Sequence, residues 1–300
     1  MRRFVLLLLL AAPAFHGAAE LSLPLKDKSV RFAVIGDSGT GERPQFEVAE
    51  QMVAFRKLFP FDFTLMLGDN IYGSKSPAEF EKKFQEPYQQ LLDAGVKFYA
   101  SLGNHDETNE RMYKPFNMNG KHYYSFRKGN AEFFALDSNY MDPEQVKWID
   151  QQLAGSDATW KICFFHHPLY SDGRTHGPSV DLRNQLEPIF QAHGVNLVLC
   201  GHEHFYERLK PQKGITYIVL GSSGQLRPHD IRPSENTEKA FDTDRAFLLI
   251  EIAGDQLYFQ AVGRRGEAVD SGVLTASPKK AGSILGSGVL KSPLAVQLHD

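Results

Sequence analysis

The sequence predicts a mixed α/β fold in which helices pack against a largely parallel β-sheet. Short apolar runs rich in β-branched and aromatic residues alternate along the chain with segments of helical periodicity. This alternation is typical of parallel strands joined by helices that cover the sheet. Two further pairs of apolar runs are joined by short polar turns, so we expect antiparallel hairpins beside the parallel strands.

The predicted strands are short runs dominated by Val, Ile, Leu and Phe and bounded by turn-forming residues. They cover residues 30–35, 63–67, 97–102, 160–165, 195–200 and 216–220. The predicted hairpins pair residues 122–126 with 131–136 across a turn at 127–130, and residues 247–252 with 257–262.

The helices are predicted from apolar spacing and from capping residues. Apolar residues recur three or four positions apart between residues 48 and 59, which indicates an amphipathic helix. Another helix is expected over residues 179–193, with a bend at Pro188. Two more helices are expected where an N-cap residue precedes a proline, at Ser76-Pro77 and Asp142-Pro143.

The ends of the chain differ in composition from its middle. Two arginines, an apolar run and small residues predict a secretory signal peptide over residues 1–19, with a membrane-anchored start as the alternative. Residues 20–276 show no composition break and are expected to form one domain. Residues 277–300 are expected to be a loosely held tail. We therefore expect an exported protein, periplasmic or extracellular, with no stable membrane association after signal removal.

Charge and cysteine content exclude several classes of protein. The 33 Lys and Arg nearly balance the 36 Asp and Glu, for a net charge of −3, so we expect no nucleic-acid partner. Two cysteines exclude a disulfide-dense scaffold and a cysteine-rich zinc site. Cys163 and Cys200 both lie in apolar runs, where they are either buried free thiols or a bridge between neighbouring strands.

Metal-competent side chains follow five of the predicted strands. These clusters are Gly36-Asp37-Ser38-Gly39, Gly68-Asp69-Asn70-Ile71-Tyr72, Gly103-Asn104-His105-Asp106, His166-His167-Pro168 and Gly201-His202-Glu203-His204. A single Asp or Asn at a strand end is usually a turn residue. Because the carboxyl ends of parallel strands lie at one edge of a sheet, however, we expect all five clusters to converge.

The donor atoms in these clusters indicate the kind of metal. Carboxylates, imidazoles, an amide oxygen and a phenol, without thiolate, suit iron, manganese or zinc better than copper(I). About seven ligands are too many for one tetrahedral zinc ion. Two ions roughly 3.5 Å apart would use them all if one carboxylate bridged, and such centres serve phosphoryl transfer. The residues alone do not divide the ligands between the ions.

The order of these motifs resembles the calcineurin-like metallophosphoesterase superfamily and, within it, the purple acid phosphatases. Tyr72, three residues after Asp69, carries the resemblance to the purple acid phosphatases. The run 176–178, His-Gly-Pro, is similar to the small, tartrate-resistant-like form, whereas the Tyr-Glu-Arg of residues 206–208 resembles the larger plant form. The resemblance spans about residues 30–225 and implies a layered β-sandwich of two mixed sheets flanked by helices.

The resemblance also implies a role for each ligand. Fe(III) would be held by Asp37, Tyr72 and His204. A divalent ion, Fe, Zn or Mn, would be held by Asn104, His166 and His202, with Asp69 bridging the two ions.

Two histidines outside the ligand set would act on the substrate. The resemblance implies that His105, and with it His176, stabilises the phosphate charge or protonates the leaving group. His176 lies one residue further from His166 than the small form leads us to expect. His167 and His122 are expected to pack against the site or support it.

The implied activity is that of an acid phosphatase acting on small phosphate monoesters. Hydrolysis would proceed by in-line attack of a metal-bound hydroxide without a phosphoenzyme. One alternative is a metallophosphodiesterase or nucleotide hydrolase of the same superfamily, against which Tyr72 argues. Another is an exported metal- or phosphate-binding protein without turnover, against which His105 and His176 argue. The sequence predicts neither the natural ester nor the oligomeric state.

Overall fold

The structure is a computed structural model that describes residues 20–276. The predicted signal peptide, 1–19, and the predicted tail, 277–300, lie outside the described residues. The strands of the described part are β1 Val30–Ile35, β2 Phe63–Leu67, β3 Lys97–Ser101, β4 Tyr124–Lys128, β5 Ala131–Ala135, β6 Trp160–Phe165, β7 Leu197–Cys200, β8 Tyr206–Leu209, β9 Thr216–Leu220, β10 Thr237–Phe241, β11 Ala246–Ala253, β12 Gln256–Gly263 and β13 Ala268–Thr275.

The helices lie between the parallel strands, as the alternating pattern predicts. The α-helices are α1 Arg43–Leu58, α2 Pro77–Phe80, α3 Glu86–Asp93, α4 Pro143–Gly155 and α5 Val180–Ala192. A π-helical segment, Glu81–Gln85, joins α2 to α3. Ser76 and Asp142 accept hydrogen bonds from the backbone N–H three residues on, so both predicted caps are confirmed. Helix α5 continues through Pro188 as one element.

The strands form two mixed sheets. One has the order β13-β12-β11-β1-β2-β3 and the other β10-β8-β9-β7-β6-β5-β4. The neighbours β1, β2 and β3 are parallel, as are β5, β6, β7 and β9, while the remaining pairs are antiparallel. The predicted architecture of two mixed sheets flanked by helices is thus confirmed, although β8, β10 and β13 were not predicted.

Aromatic side chains fill the space between the sheets. Phe32 and Phe63 of the first sheet stack with ring centroids 5.0 Å apart, and Phe133 of the second sheet packs edge-on against Phe32 at 5.2 Å. Each such ring buries a large apolar area, so this layer contributes strongly to holding the sheets together. The sheets in turn fix the relative position of the loops at their edges.

A second apolar cluster lies between the second sheet and helices α4 and α5. It includes Ile149, Leu186 and Phe190 on the helices. Cys163 and Cys200 belong to it, and both are buried and free, so the strands carry no bridge between them. No helix within residues 20–276 is long and apolar enough to cross a membrane.

Both hairpins are present, with one change in the first. Lys128 pairs with Ala131, so the β4–β5 turn contains Gly129 and Asn130 alone and is tighter than predicted. The second hairpin pairs Ala253 with Gln256 and turns at residues 254–255, between the two runs predicted to pair. Strands β3 and β7 are one and two residues shorter than predicted, at the end and the start respectively.

Candidate metal centre

The site lies where the carboxyl ends of the parallel strands of the two sheets meet. The Asp37 N–H after β1 donates to the Gly68 carbonyl after β2 at 3.1 Å. The Gly201 N–H after β7 donates to the His166 carbonyl after β6 at 3.0 Å. The His166 ring then links the sheets, because its Nδ1 lies 2.9 Å from the Leu67 carbonyl oxygen of β2. The Nε2 atom of the same ring lies 2.9 Å from Asn104 Oδ1 after β3, so the predicted convergence of the five clusters is observed.

Three of the site residues adopt left-handed backbone conformations that side chains rarely occupy. The φ angles are +51° at Asp37, +51° at Asp69 and +70° at His202. Such angles cost free energy and persist where surrounding contacts hold them. Here the Asp37 carboxylate accepts the His202 N–H at 2.9 Å, and Asp69 accepts the His105 N–H at 2.9 Å. The strained turns aim these residues into the site.

The first group of donor atoms, the tyrosine cluster, consists of Asp37, Tyr72 and His204. The Tyr72 hydroxyl lies 3.2 Å from Asp37 Oδ1 and 3.3 Å from His204 Nε2. His204 Nε2 lies 3.4 Å from the same Asp37 oxygen. Three potential ligand atoms from three separate loops thus face one point.

The second group, the asparagine cluster, consists of Asn104, His166 and His202. His166 Nε2 lies 2.9 Å from Asn104 Oδ1 and 3.1 Å from His202 Nδ1. The opposite nitrogen of His166 faces the Leu67 carbonyl, which only accepts, so that nitrogen carries the proton. Nε2 is therefore left with a free lone pair, the arrangement found in metal-binding histidines.

Asp69 lies between the two clusters. Its Oδ1 is 3.5 Å from His166 Nε2. Donor atoms of Asp37, Asp69 and His166 all lie within 4.8 Å of one another. The structure thus brings together all seven residues predicted as ligands and places Asp69 where a bridging carboxylate is expected.

Two glycines allow this close approach. A Cβ atom at Gly103 would lie 2.2 Å from Asp69 Oδ1, and one at Gly201 would lie 2.4 Å from Asp37 Oδ2. Real Cβ atoms do not approach so closely, so any side chain at either position would displace a carboxylate of the site. Both glycines follow strands, as the sequence motifs predict.

The charges of the site fit a cation. Asp37 and Asp69 are almost fully buried, and within residues 20–276 no Lys or Arg forms an ion pair with either. Burial, followed by the proximity of Asp69, raises the pKa of Asp37 well above its usual value. Burying carboxylates without a cationic partner is costly. A bound metal ion would remove that cost, so these residues fit the predicted ions.

The imidazoles fit the same role. Burial lowers the pKa of His202 to about 2 and that of His204 to about 4, and it lowers the pKa of His166 as well. All three rings are therefore neutral in mildly acidic and neutral solution, and a neutral ring keeps a lone pair for a metal. Burial and the carboxylate of Asp37 raise the pKa of Tyr72, so this phenol ionises only against a bound cation.

Both predicted outer histidines lie at the rim of the site. The His105 ring centroid is 5.0 Å from that of Tyr72, and Asn104 and His105 are exposed. The His176 ring lies nearly parallel to that of His202, with centroids 4.2 Å apart. The additional residue between His166 and His176 therefore does not remove His176 from the site.

Sequence reasoning missed Arg227, whose guanidinium lies beside His176. Its Nη1 lies 3.5 Å from His176 Nδ1 and 3.8 Å from a carboxylate oxygen of Glu203. The backbone N–H of Arg227 donates to the His204 carbonyl at 3.0 Å. The signal was weak, because Arg227 follows β9 in a Gly- and Ser-rich turn that carries no metal ligand.

Two further residues support the loops. Asp106 is the last residue of the Gly-Asn-His-Asp motif, and the sequence predicts no role for it. Its carboxylate accepts the backbone N–H groups of Asn70 at 2.7 Å and Gly103 at 2.8 Å, which joins the loops after β2 and β3. His167, which is expected to pack against the site or support it, has its ring centroid 4.4 Å from that of His202. Its Nδ1 lies 2.9 Å from Ser138 Oγ. His166, His167 and His202 also place ring nitrogens within 4.8 Å of one another.

Comparison with known proteins agrees with the motifs and the fold. The model of the calcineurin-like phosphoesterase family matches residues 30–206. The human (Homo sapiens) tartrate-resistant acid phosphatase type 5 is 26% identical over 321 residues, which cover 88% of this chain and 96% of that protein. The resemblance to purple acid phosphatases that the motifs indicate is thus confirmed.

Solved structures show the same fold. A purple acid phosphatase from seeds of yellow lupin (Lupinus luteus) superimposes with a TM-score of 0.69 at 18% identity, covering 82% of this chain and 54% of that one. GAP50, described as the anchor in the inner membrane complex of Plasmodium, gives 0.72 at 21% identity, with coverages of 84% and 90%. On its motifs, its fold and the family match over more than half its length, this chain belongs to the calcineurin-like phosphoesterase family.

Proposed function

We propose that this chain is an acid phosphatase that hydrolyses phosphate monoesters at a centre of two metal ions. The observation that supports the proposal most is the division of seven donor side chains into the tyrosine cluster and the asparagine cluster, with Asp69 between them. Relatives that include a tartrate-resistant acid phosphatase support the same activity.

The proposal assigns each cluster to one ion. The tyrosine cluster would hold Fe(III), because a phenolate and a carboxylate suit a hard trivalent cation. The asparagine cluster, with a neutral amide and two neutral imidazoles, would hold divalent Fe, Zn or Mn. Asp69 would contact both. When bound, such a pair supplies a nucleophile from water in acid and offsets the charge on the phosphate oxygens.

The chain's own residues would bind and protonate the ester. His105 follows Asn104 on the exposed side of the asparagine cluster, so its ring can reach a phosphate placed there. A protonated imidazole at this position would donate its proton to the departing alkoxide oxygen. Asp69 holds the backbone of His105 at 2.9 Å, which fixes the base of this side chain.

His176 and Arg227 would act from the other side of the His202 ring. The Arg227 guanidinium is permanently charged and partly exposed, with 30% of its side chain accessible. It lies 3.5 Å from His176 Nδ1. Burial and the charge of Arg227 lower the pKa of His176, so the positive charge on this rim would come from Arg227, which also lies 3.8 Å from carboxylate oxygens of Glu203 and Asp230. His176 would offer the phosphate a hydrogen bond instead of a charge.

The test compares a monoester with a diester. We expect metal-loaded protein to release phosphate from p-nitrophenyl phosphate at acid pH, with a kcat/KM about tenfold or more above that for bis-p-nitrophenyl phosphate. Preference for the diester would favour the phosphodiesterase alternative. Failure to hydrolyse either ester after verified metal loading would favour a binding protein without turnover.

Export to the periplasm or beyond stays a proposal that depends on residues 1–19.

A further inference from the structure

A cavity of about 610 Å³ borders the metal centre on the side of Asn104. Its walls include Asn104 and His167 from the site, and also His122, Tyr123 and Tyr140, to which the proposed reaction gives no role. We propose, on the basis of the proposed phosphatase function, that the substrate is the phosphate ester of an uncharged sugar. The cavity would bind the sugar, and His122 would contact the sugar's hydroxyl groups.

His122 is held in one orientation by a buried carboxylate. Its Nδ1 lies 3.0 Å from Asp137 Oδ2, and the other oxygen of Asp137 accepts the Asn139 N–H at 3.0 Å. The backbone of Asp137 is fixed in turn by both ends of the Gln145 side-chain amide, at 2.8 and 3.0 Å. These hydrogen bonds therefore fix the orientation of the His122 imidazole.

This support determines which nitrogen His122 offers. A carboxylate only accepts hydrogen bonds, so Nδ1 carries the proton and Nε2 is free. Nε2 has no hydrogen-bond partner among residues 20–276, and 39% of the side chain is accessible. Because His122 lines the cavity, Nε2 is an oriented hydrogen-bonding atom available to a bound molecule.

The remaining walls fit a sugar. Tyr140 lines the cavity and is 74% exposed, so its ring is accessible to a bound molecule. Tyr123 packs on Trp148 with ring centroids 4.9 Å apart, which makes a second aromatic wall. Aromatic faces cover the C–H surface of a sugar ring, while a few oriented polar atoms bind its hydroxyls.

The walls offer no partner to a second anionic group. Asp106, Asp137 and Asp142 line the cavity, and none of its lining residues is Lys or Arg. A second phosphate or a carboxylate on the substrate would therefore lose water without gaining a cationic partner. A hydroxyl group, in contrast, could donate to Asp142 Oδ2, because Asp142 caps α4 through Oδ1. The cavity therefore fits a neutral polyhydroxylated alcohol.

The experiment uses a substrate and its hydroxyl-free counterpart. Hexose 6-phosphate and cyclohexylmethyl phosphate share size and ester type, so the ratio of their kcat/KM values isolates the hydroxyl contacts. We expect wild type to favour the sugar phosphate, and His122→Ala to lower this ratio by about fivefold to tenfold, the effect of one or two hydrogen bonds. In His122→Ala the kcat/KM for cyclohexylmethyl phosphate should stay unchanged. Tyr140→Ala should instead lower kcat/KM for both esters, because the Tyr140 ring would cover the C–H surface that they share.

The matched control is His193→Ala. His193 also pairs with an aspartate, Asp150, at 2.7 Å, but it lies at the far end of α5 and outside this cavity. The control should leave the ratio at the wild-type value. The subsite alone is disproved if wild type hydrolyses both esters with equal kcat/KM, or if His122→Ala lowers both equally. Hydrolysis of neither ester by metal-loaded wild type would instead overturn the proposed phosphatase function itself, and the subsite with it.

Discussion

Asn104 Oδ1 and His166 Nε2 lie 2.9 Å apart, although Asn104 follows β3 of the first sheet and His166 follows β6 of the second. The candidate metal centre therefore spans both sheets, and its geometry depends on how they pack. Phe32, Phe63 and Phe133 fix that packing deep in the core. Each cluster takes donors from both sheets, so loss of order in this aromatic layer would pull the donors of each cluster apart, and metal binding and folding should be coupled.

The first prediction concerns the space around Asp69. We expect Gly103→Ala to lower metal content and to cost about 1–3 kcal/mol of unfolding free energy, because the new methyl group would lie 2.2 Å from Asp69 Oδ1. The matched control is Gly155→Ala, where a Cβ meets no atom within 4 Å. Elemental analysis and chemical denaturation of both variants check this. Equal metal content in the two variants would contradict it.

The second prediction concerns Tyr72. If its phenolate binds Fe(III), wild type should be violet, and Tyr72→Phe should lose the visible band while it retains phosphatase activity. Tyr206→Phe is the control, because the Tyr206 hydroxyl also donates to an aspartate, Asp270, at 2.8 Å but lies outside the site. Visible spectra of the three iron-loaded proteins are compared. A band that persists in Tyr72→Phe would place the phenolate elsewhere.

The third prediction concerns His105. We expect His105→Ala to lower kcat for an aryl phosphate by about 100-fold, the usual contribution of a general acid or base. Metal content should stay at the wild-type value, because the His105 contact with Asp69 is made by backbone N–H and not by the ring. His193→Ala serves again as a histidine control. Phosphate release equal to that of wild type would remove His105 from the mechanism.

The fourth prediction concerns pH and Glu207. Burial raises the pKa of Glu207 to about 7, even though the Asp172 N–H donates to its carboxylate at 3.0 Å. The folded state thus keeps a proton on Glu207 up to about pH 7, whereas the unfolded state releases it near pH 4.5. The contribution of Glu207 to the unfolding free energy is therefore fully present below pH 4.5 and is lost as the pH rises to about 7. The amount is about 3 kcal/mol, because the pKa rises from 4.5 to about 7.

Glu207→Gln removes this titration and tests it. The unfolding free energy of the variant relative to wild type should rise between pH 5 and pH 8, because Gln imitates the protonated acid at both values. Taking the difference between the proteins cancels titration elsewhere in the fold. A difference that stays constant over this range would show that Glu207 ionises at its ordinary pKa.

Much of the site was predictable because its signals are local. Asp37, Asp69 and Asn104 each follow a glycine at the end of an apolar run, and parallel strands bring such ends together. The glycines themselves are required by the close approach of carboxylates, as Gly103 and Gly201 illustrate. Short spacing and strand periodicity were therefore sufficient to identify the clusters that converge, whereas the choice of the seven ligands within them came from the resemblance to the purple acid phosphatases.

The rest depends on contacts between distant segments. His122 and Asp137 are separated by the β4–β5 hairpin, and sequence spacing gave no indication that they would pair at 3.0 Å. Strand β8 pairs with β9 and β10, but its Tyr-Glu-Arg-Leu sequence alternates too little to predict a strand. The tighter turn at Gly129 and Asn130 reflects strand register, which pairing decides.

Elemental analysis of purified, metal-loaded protein bears most directly on the central proposal. If the tyrosine cluster and the asparagine cluster each hold an ion, with Asp69 in contact with both, the analysis will find two metal ions per chain, one of them iron. A stoichiometry of one ion or none, in protein that is folded and fully loaded, would contradict the proposal.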